Sequence, residues 1–316
     1  MNDKVAIIGT GLVGCGWAIV FARAGFRVAL FDDQAGALQT ADRGIGQSLR
    51  DLDSFSLLDE PPEQVQARME WADSLEHALA GARYVQESVF ERVDVKRAVY
   101  AAMDPLLGPD ALVGSSSSGI PPSQFTQDVS AGARCLVAHP VNPPYLVPLV
   151  ELVPAPWTSA ATVDAVHALM TQVGQVPIRV RREVEGFILN RLQMALLNEA
   201  WRLVEDGCVC VEDADKTVAF GLGLRWSFMG PFETIDLNAP QGVRDYAQRF
   251  GALGQRIVNS RPTPQPPWSE ALVDQVERER RERLPADQLG ARRVWRDRRL
   301  MALLAHRRSQ PTGDRD

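Results

Sequence analysis

A glycine-rich turn between an apolar run and a helix is the feature that most limits how this chain can fold. Residues 5–8 are apolar, and they lead directly into Gly9-Thr10-Gly11-Leu12-Val13-Gly14, which has the spacing G-x-G-x-x-G. Alone the spacing is weak, because glycines cluster in many turns. After a buried strand, the first glycine permits the tight turn, the second lets the backbone approach a pyrophosphate, and the third lets the helix pack on the strand. The order strand, turn, helix predicts a dinucleotide site.

The acidic residue after the second apolar run predicts which dinucleotide binds. Asp32 follows residues 28–31 and lies eighteen positions after Gly14. A carboxylate there accepts hydrogen bonds from ribose hydroxyls and repels a 2′-phosphate, and the next residue is Asp33 rather than arginine. NAD is therefore predicted over NADP, with FAD as an alternative because flavoproteins use the same turn. The predicted cofactor contacts come from Asp32 and from the turn residues Gly9, Gly11, Leu12, Val13 and Gly14.

Predicted strands alternate with helical patterns along the first part of the chain. The predicted strands are residues 5–8, 28–31, 84–87, 112–114, 135–138 and 149–153, and the helical patterns are 14–24, 93–103 and 160–173. This alternation predicts an α/β fold with a Rossmann-type, doubly wound parallel sheet. From 187–205 onward the pattern is helical and strands are scarce. We therefore predict an NAD-binding domain over 1–183 and an all-helical C-terminal domain over 184–316.

Composition narrows the class of protein. The chain is 45% hydrophobic and 23% charged, with a net charge of −6, so a globular fold is expected and a nucleic-acid partner is disfavoured. No apolar run reaches the ~20 residues of a membrane span, and no signal segment is evident at the N-terminus, so we expect a cytoplasmic protein with no membrane partner. The four cysteines lack zinc-site spacing, so no metal is predicted and the thiols are expected to be reduced.

One histidine and one glutamate predict the chemistry. His139 follows the apolar run 135–138 and begins the rigid loop Pro140-Val141-Asn142-Pro143-Pro144, at the strand end where doubly wound sheets bind ligands. Glu151 lies within the apolar run 149–153, where an unpaired carboxylate is costly to bury, so it needs a partner such as an imidazole. An alcohol that loses a hydride needs a base, and histidine, with an ordinary pKa of ~6.5, suits that role at neutral pH.

An ordered series of motifs resembles the 3-hydroxyacyl-CoA dehydrogenase superfamily over nearly the whole chain. The motifs are the glycine turn, Ser115-Ser116-Ser117-Ser118, His139-Pro140-Val141-Asn142-Pro143, Glu151 and Gly186-Phe187-Ile188-Leu189-Asn190-Arg191. The resemblance implies that His139 and Glu151 are catalytic and that Ser118 and Asn190 contact substrate, with Ser117 as the competing serine. It also implies that Glu91 and Lys96 contact the nicotinamide half of the cofactor, and that the helical domain forms a homodimer.

Within the superfamily the chain resembles the branch of lambda-crystallin and L-gulonate 3-dehydrogenase. That resemblance lies in segments such as Gly223-Leu224-Arg225-Trp226-Ser227-Phe228-Met229-Gly230-Pro231. An arginine such as Arg225 could hold a free carboxylate, which an acyl-CoA thioester lacks. The predicted function is thus NAD-dependent oxidation of a 3-hydroxy acid such as L-gulonate to the 3-oxo acid. The alternatives are a 3-hydroxybutyryl-CoA or 3-hydroxyacyl-CoA dehydrogenase, an L-carnitine 3-dehydrogenase with an aromatic cage from Trp226, Phe228 and Tyr145, and a non-catalytic NAD-binding crystallin-like protein.

Overall fold

The structure, a computed structural model, describes residues 4–261 and 267–310. Contacts group these residues into two units. The first runs to Leu192 and resumes at Arg293, and the second covers Gln193–Arg292. The predicted domains, 1–183 and 184–316, stay a prediction, and the grouping by contacts differs from them in placing the chain after Arg293 with the sheet.

The first unit is built on one eight-stranded sheet. Its strands are β1 (Lys4–Ile8), β2 (Arg27–Phe31), β3 (Met69–Trp71), β4 (Tyr84–Glu87), β5 (Leu112–Ser115), β6 (Cys135–Pro140), β7 (Leu149–Pro154) and β8 (Val176–Arg179). They lie in the order β3-β2-β1-β4-β5-β6-β7-β8. The order reverses between β1 and β4, and at such a point the carboxyl ends of the strands open a crevice for a ligand. The predicted Rossmann-type fold is confirmed.

The sheet departs from the prediction in one pairing. Every neighbouring pair is parallel except β6 and β7, which are antiparallel. Only eight residues separate these two strands, too few for the crossover that a parallel connection needs, so the chain turns back on itself. The sheet is therefore mostly parallel rather than wholly parallel.

Helices cover both faces of the sheet. Those before the second unit are α1 (Leu12–Arg23), α2 (Ala37–Ser54), α3 (Pro62–Gln66), α4 (Leu75–Leu79), α5 (Val93–Met103) and α6 (Ala160–Gln172). One hydrophobic layer contains fully buried side chains of α1 and α2, such as Trp17, Phe21 and Leu49. The other layer contains Tyr100 and Met103 of α5. Because both faces are covered, the central strands are apolar throughout rather than alternating.

In its described residues the second unit contains helices joined by loops, and no strand. It contains most of α7 (Leu189–Glu205), then α8 (Val211–Thr217), a π-helical turn (Val218–Leu222), α9 (Gly223–Trp226), α10 (Pro231–Leu237), α11 (Val243–Asn259) and α12 (Glu270–Arg283). Its small core contains Val204, Val211 and Leu272 beside the stacked rings of Trp201 and Trp268, whose centroids lie 4.4 Å apart.

The C-terminal helix α13 (Leu289–Ser309) belongs mainly to the first unit. Met301 is buried in the hydrophobic layer of α1 and α2, and Leu300, Leu304 and Ala305 pack against that layer. This arginine-rich stretch near the C-terminus thus forms a helix with one apolar face buried.

Candidate active site

A cleft of about 1120 Å³ lies at the carboxyl ends of the first strands. The glycine turn, Asp32, Gln34, Val89 and Asn142 are among its lining residues. The cleft lies where the strand order reverses, as expected for a nucleotide site in a doubly wound sheet.

Each glycine of the turn meets a different spatial demand. Gly9 has φ +95°, and a Cβ there would lie 2.6 Å from the carbonyl oxygen of Ser88. A Cβ on Gly14 would lie 1.9 Å from the carbonyl oxygen of Gly9. Gly11 has no atom within 4 Å of its Cβ position, which leaves the backbone open to a ligand at the start of α1. The turn therefore fits a pyrophosphate, which also favours the positive end of the helix dipole.

Asp32 is held in the cleft by the turn itself. Its Oδ2 accepts hydrogen bonds from the backbone nitrogen of Thr10 at 2.7 Å and from the Thr10 hydroxyl at 3.0 Å. Its Oδ1 accepts one from the backbone nitrogen of Gln34 at 3.0 Å. These bonds fix a carboxylate at the end of β2, where ribose hydroxyls of a dinucleotide are recognised.

His139 and Glu151 meet because their strands are antiparallel. They are directly opposed in the pairing of β6 with β7, and side chains opposed in this way lie on the same face of a sheet. The Nδ1 atom of His139 lies 2.7 Å from Oε2 of Glu151. His139 is 6% exposed and Glu151 fully buried. The partner predicted for the buried carboxylate is present.

The second oxygen of Glu151 is bound by the start of α7. Oε1 accepts hydrogen bonds from the backbone nitrogens of Ile188, at 2.8 Å, and Leu189, at 2.9 Å. Phe187, with φ +49°, turns the chain so that these two N–H groups point at the carboxylate, and its ring packs 5.7 Å from that of His139. A helix N-terminus stabilises a negative charge in this position.

The charge on Glu151 determines the proton on His139. Burial acts to raise the pKa of Glu151, but hydrogen bonds from His139, Leu189 and Ile188 outweigh it, and the pKa lies below its usual value. An ionised carboxylate only accepts hydrogen bonds, so Nδ1 of the imidazole must be the donor. In the neutral ring the lone pair is then on Nε2, which is free to act as a base.

The four-serine run forms a turn around the carboxylate of Glu91. Oε1 of Glu91 accepts hydrogen bonds from the Ser117 hydroxyl and the Ser118 nitrogen, both at 2.8 Å, and from the Gly119 nitrogen at 3.1 Å. Ser117 is buried and its hydroxyl also bonds to the backbone of Ile120, whereas Ser118 is exposed. Of the two predicted substrate serines, Ser118 is thus the more accessible.

Asn190 reaches the same turn from α7. Its Nδ2 donates to the backbone carbonyl oxygen of Ser118 at 2.5 Å. The predicted substrate residues Ser117, Ser118 and Asn190 are therefore brought together, and Glu91 joins them.

Lys96 is buried behind Glu91 rather than exposed in the cleft. Its Nζ lies 2.9 and 3.1 Å from the two oxygens of Glu87, and 3.5 Å from Oε2 of Glu91. Its side chain is 1% exposed, whereas that of Glu91 is 39% exposed. The sequence suggested direct contacts with the cofactor for both, and these stay a prediction, since in this arrangement Lys96 is separated from solvent.

Two residues proposed for substrate selection have local contacts of another kind. Arg225 is exposed on α9 and lies 3.5 Å from Oδ1 of Asn238, also in the second unit. Tyr145 packs against the core of the first unit, with its hydroxyl 3.4 Å from Ser48 on α2. Burial raises the pKa of Tyr145, as expected for a phenol that packs against the core. The carboxylate contact of Arg225 stays a prediction.

Sequence reasoning missed Asn142 and Glu87. Asn142 lines the cleft, three residues after His139 in the loop already singled out. Glu87 is a fully buried carboxylate at the end of β4, whose four residues are all buried, and the cost of burying an unpaired carboxylate applies to it as to Glu151.

Neither metal sites nor membrane spans are evident in the described ranges. Across residues 4–261 and 267–310, no three His, Cys, Asp or Glu side chains cluster as metal ligands do. In the same ranges no helix combines the length and apolar character needed to cross a bilayer.

Two family models together match most of the chain. The model described as 3-hydroxyacyl-CoA dehydrogenase, NAD binding domain, matches residues 4–184, and that of the C-terminal domain of the same family matches residues 186–283. Helix α13 lies beyond both matches.

Similar proteins extend over nearly the full length. The chain is 42% identical to lambda-crystallin of Oryctolagus cuniculus over 297 residues, which cover 93% of this chain and 92% of that protein. It is 35% identical to L-carnitine dehydrogenase of Pseudomonas putida, covering 95% and 92% of the two chains.

Solved structures share the architecture. A 5-formyl-3-hydroxy-2-methylpyridine 4-carboxylic acid 5-dehydrogenase, described as an NAD+-dependent dismutase, superposes with a TM-score of 0.79 at 27% identity, covering 98% of this chain and all of that one. The (S)-3-hydroxybutyryl-CoA dehydrogenase of Ralstonia eutropha gives a TM-score of 0.66 at 27% identity, covering 81% and 88%.

Proposed function

Because the chain belongs to the 3-hydroxyacyl-CoA dehydrogenase family, we propose that it oxidises the 3-hydroxyl group of a free 3-hydroxy acid, with L-gulonate as the first candidate. It is an NAD-dependent oxidoreductase of that family. The observation that carries the proposal is the 2.7 Å contact between Nδ1 of His139 and Glu151, at the strand end where such sheets bind their ligands.

The proposed cofactor site is the cleft of the glycine turn. The backbone from Gly9 to Gly14 and the start of α1 would hold the pyrophosphate, and Asp32 would accept hydrogen bonds from the ribose hydroxyls. Glu91 contacts the nicotinamide half, and Lys96 acts through Glu91. Bound NAD would supply the acceptor for the hydride that leaves the substrate carbon.

His139 is the proposed general base. With Nδ1 donating to Glu151, the lone pair on Nε2 takes the proton of the 3-hydroxyl group as the carbon–hydrogen bond breaks. The ring then becomes an imidazolium, and the carboxylate of Glu151 stabilises that positive charge while its own charge is held by the N–H groups of α7. Ser118 and Asn190 orient the oxygen of the substrate.

The proposal of a free acid rests on family likeness and on Arg225. The similarity to lambda-crystallin is greater than that to L-carnitine dehydrogenase, and the arginine of α9 offers a bidentate partner for a carboxylate. L-carnitine is the competing free acid, since a protein 35% identical to this chain is named for acting on it. A 3-hydroxyacyl-CoA is the runner-up class, since the family is named for it.

Steady-state assays with NAD separate these candidates. Initial rates of NADH formation with L-gulonate, L-carnitine, 3-hydroxybutyrate and 3-hydroxybutyryl-CoA should give the highest kcat/KM for L-gulonate. Turnover of the CoA ester alone would refute the free-acid proposal and leave the dehydrogenase class intact. No turnover with any substrate, together with normal NAD binding, would favour the non-catalytic crystallin-like alternative.

The partner we propose is a second copy of the chain. Several large apolar side chains of the second unit are well exposed, among them Phe220 and Phe232 at 79% and Val258 at 68%. Exposed apolar side chains that form one patch mark protein contacts, and a twofold contact between copies would cover these. The mass of the protein in solution tests this.

A further inference from the structure

A buried ion pair lies beneath the serine turn. Glu87, at the carboxyl end of β4, is fully buried, and Lys96 of α5 is buried beside it at 2.9 and 3.1 Å. The Glu87 carboxylate also accepts hydrogen bonds from the Ser115 hydroxyl at 2.5 Å and from the Val89 backbone nitrogen at 2.8 Å. Glu87 is thus a fixed anion, with a partner for each of its oxygens.

Lys96 joins this anion to a second carboxylate. Its Nζ lies 3.5 Å from Oε2 of Glu91, farther than from Glu87, so one ammonium is shared by two acids. The same ammonium lies 5.7 Å from the ring centroid of Phe125, which gives it a third favourable contact. The position of the ammonium is set mainly by Glu87, the nearer acid.

Glu91 connects Lys96 to the turn formed by the four serines. While Oε2 faces Lys96, Oε1 accepts hydrogen bonds from Ser117, Ser118 and Gly119. The backbone carbonyl oxygen of Ser118 in turn accepts a hydrogen bond from the side-chain amide of Asn190. A continuous series of contacts therefore runs from Glu87 to the two residues that we assign to the substrate.

We propose that Glu87 is a positioning residue for substrate binding, which acts by fixing Lys96 and, through it, the carboxylate of Glu91 against the serine turn. The inference rests on the proposed function, because it takes Ser118 and Asn190 as the substrate contacts. Neutralising Glu87 would leave the ammonium with one anion. Lys96 would then move towards Glu91 and draw that carboxylate away from the serine turn.

The Glu87→Gln variant tests the proposal with little change in shape. Glutamine can still accept from the Val89 nitrogen and can donate to the Ser115 hydroxyl. We expect kcat/KM for the hydroxy acid that the native enzyme turns over best to fall by about 10-fold to 100-fold, because a displacement near 1 Å is enough for such a loss. Affinity for ADP-ribose, which lacks the nicotinamide ring, should stay within about 2-fold of native. The matched control is Glu60→Gln, which breaks the ion pair with Arg68 elsewhere in the same unit and should leave kcat/KM unchanged.

A double variant distinguishes positioning from stability. Lys96→Met alone leaves the charge of Glu87 buried without a cation and should lower the melting temperature. In Glu87→Gln with Lys96→Met both charges are gone, so the melting temperature should recover. The loss in kcat/KM should persist, because Glu91 no longer has its cation. Recovery of both quantities together would mean that the pair serves stability alone, and the proposal would be wrong.

Amide exchange follows the turn without any catalytic assay. The amides of Ser118 and Gly119, which donate to Glu91, should exchange at least several-fold faster in Glu87→Gln than in the native chain or in Glu60→Gln. Native exchange in Glu87→Gln would overturn the proposal even if the substrate assignment were correct. If instead exchange accelerates but the native enzyme oxidises no 3-hydroxy acid, the proposed function fails and the positioning of the turn stands.

Discussion

Among the residues that the structure describes, two carboxylates are buried at strand positions, and each accepts several hydrogen bonds. Glu151 accepts hydrogen bonds from an imidazole and from two backbone N–H groups. Glu87 accepts hydrogen bonds from an ammonium, a hydroxyl and one backbone N–H group. The desolvation of a buried charge is costly, and several donors placed around it offset that cost. Such residues in an apolar run therefore indicate a partner elsewhere in the fold.

Replacing His139 tests its role as the base. We expect His139→Gln to lower kcat by about 100-fold to 10,000-fold, the usual contribution of a positioned base, while the Kd for NAD stays within about 3-fold. His77→Gln is the control, since His77 is half exposed on α4 and bonds to Asp73. Stopped-flow or steady-state NADH formation measures the effect, and ordinary turnover in the His139 variant would contradict the mechanism.

The lowered pKa of Glu151 predicts a change of stability with pH. Its pKa is lower in the folded chain than the ordinary glutamate value of about 4.3, so the unfolded chain binds the proton more readily as the pH falls. The stability that the charged group contributes is thus present at pH 7 and is lost as the pH falls through that folded pKa. We expect the native chain to unfold with a higher free energy than Glu151→Gln at pH 7, and the difference to shrink below about pH 4.5. Urea unfolding at several pH values measures this, and a constant difference would argue against it.

The sequence predicted single residues best where burial left few choices. A carboxylate within the apolar run of β7 and a histidine at the end of β6 required a partner, and the structure pairs them. Glu91 and Lys96 lie in a polar stretch that allows many arrangements, so their shared bonds with Glu87 needed the folded chain. Arg225, exposed on a short helix, has no such constraint, and its role stays a prediction.

At the scale of elements, the six interior strands of the sheet were predicted from the sequence and the two edge strands were not. The six predicted strands are all present, with bounds shifted by up to two residues. The structure adds β3 and β8, the two edge strands of the sheet, whose three and four residues mix polar with apolar side chains. An edge strand has one neighbour and a partly exposed surface, so its sequence carries a weak hydrophobic signal.

The packing of α13 gives a prediction at the same scale. Met301 is 2% exposed within the core of the first unit, and Leu303 on the same helix is 42% exposed. We expect Met301→Ala to lower the free energy of unfolding by about 2–5 kcal/mol, as for other buried large-to-small changes, and Leu303→Ala to change it by less than about 0.5 kcal/mol. Chemical denaturation followed by circular dichroism compares the two. Equal small effects would mean that α13 contributes little to the core.

At the scale of the whole molecule, the proposed dimer can be tested through its apolar surface. We expect the native protein to elute with twice the chain mass in light scattering, and Phe232→Asp in the second unit to shift it towards the monomer. Val294→Asp, a charge at a 54% exposed position of α13, is the control and should leave the mass unchanged. A monomeric native protein would rule the homodimer out.

The return of the chain to its first unit has a practical consequence for anyone who wishes to express the nucleotide-binding part alone. Because that unit includes residues on both sides of Gln193–Arg292, the helical unit is inserted into it rather than appended to it. A fragment cut after Leu192 would lack α13, so the apolar side chains of the first unit that surround Met301 would be exposed to water. Such a fragment would be prone to aggregate. A sound expression design deletes the inserted stretch and joins Leu192 to Arg293 through a flexible linker, so that the last helix is retained.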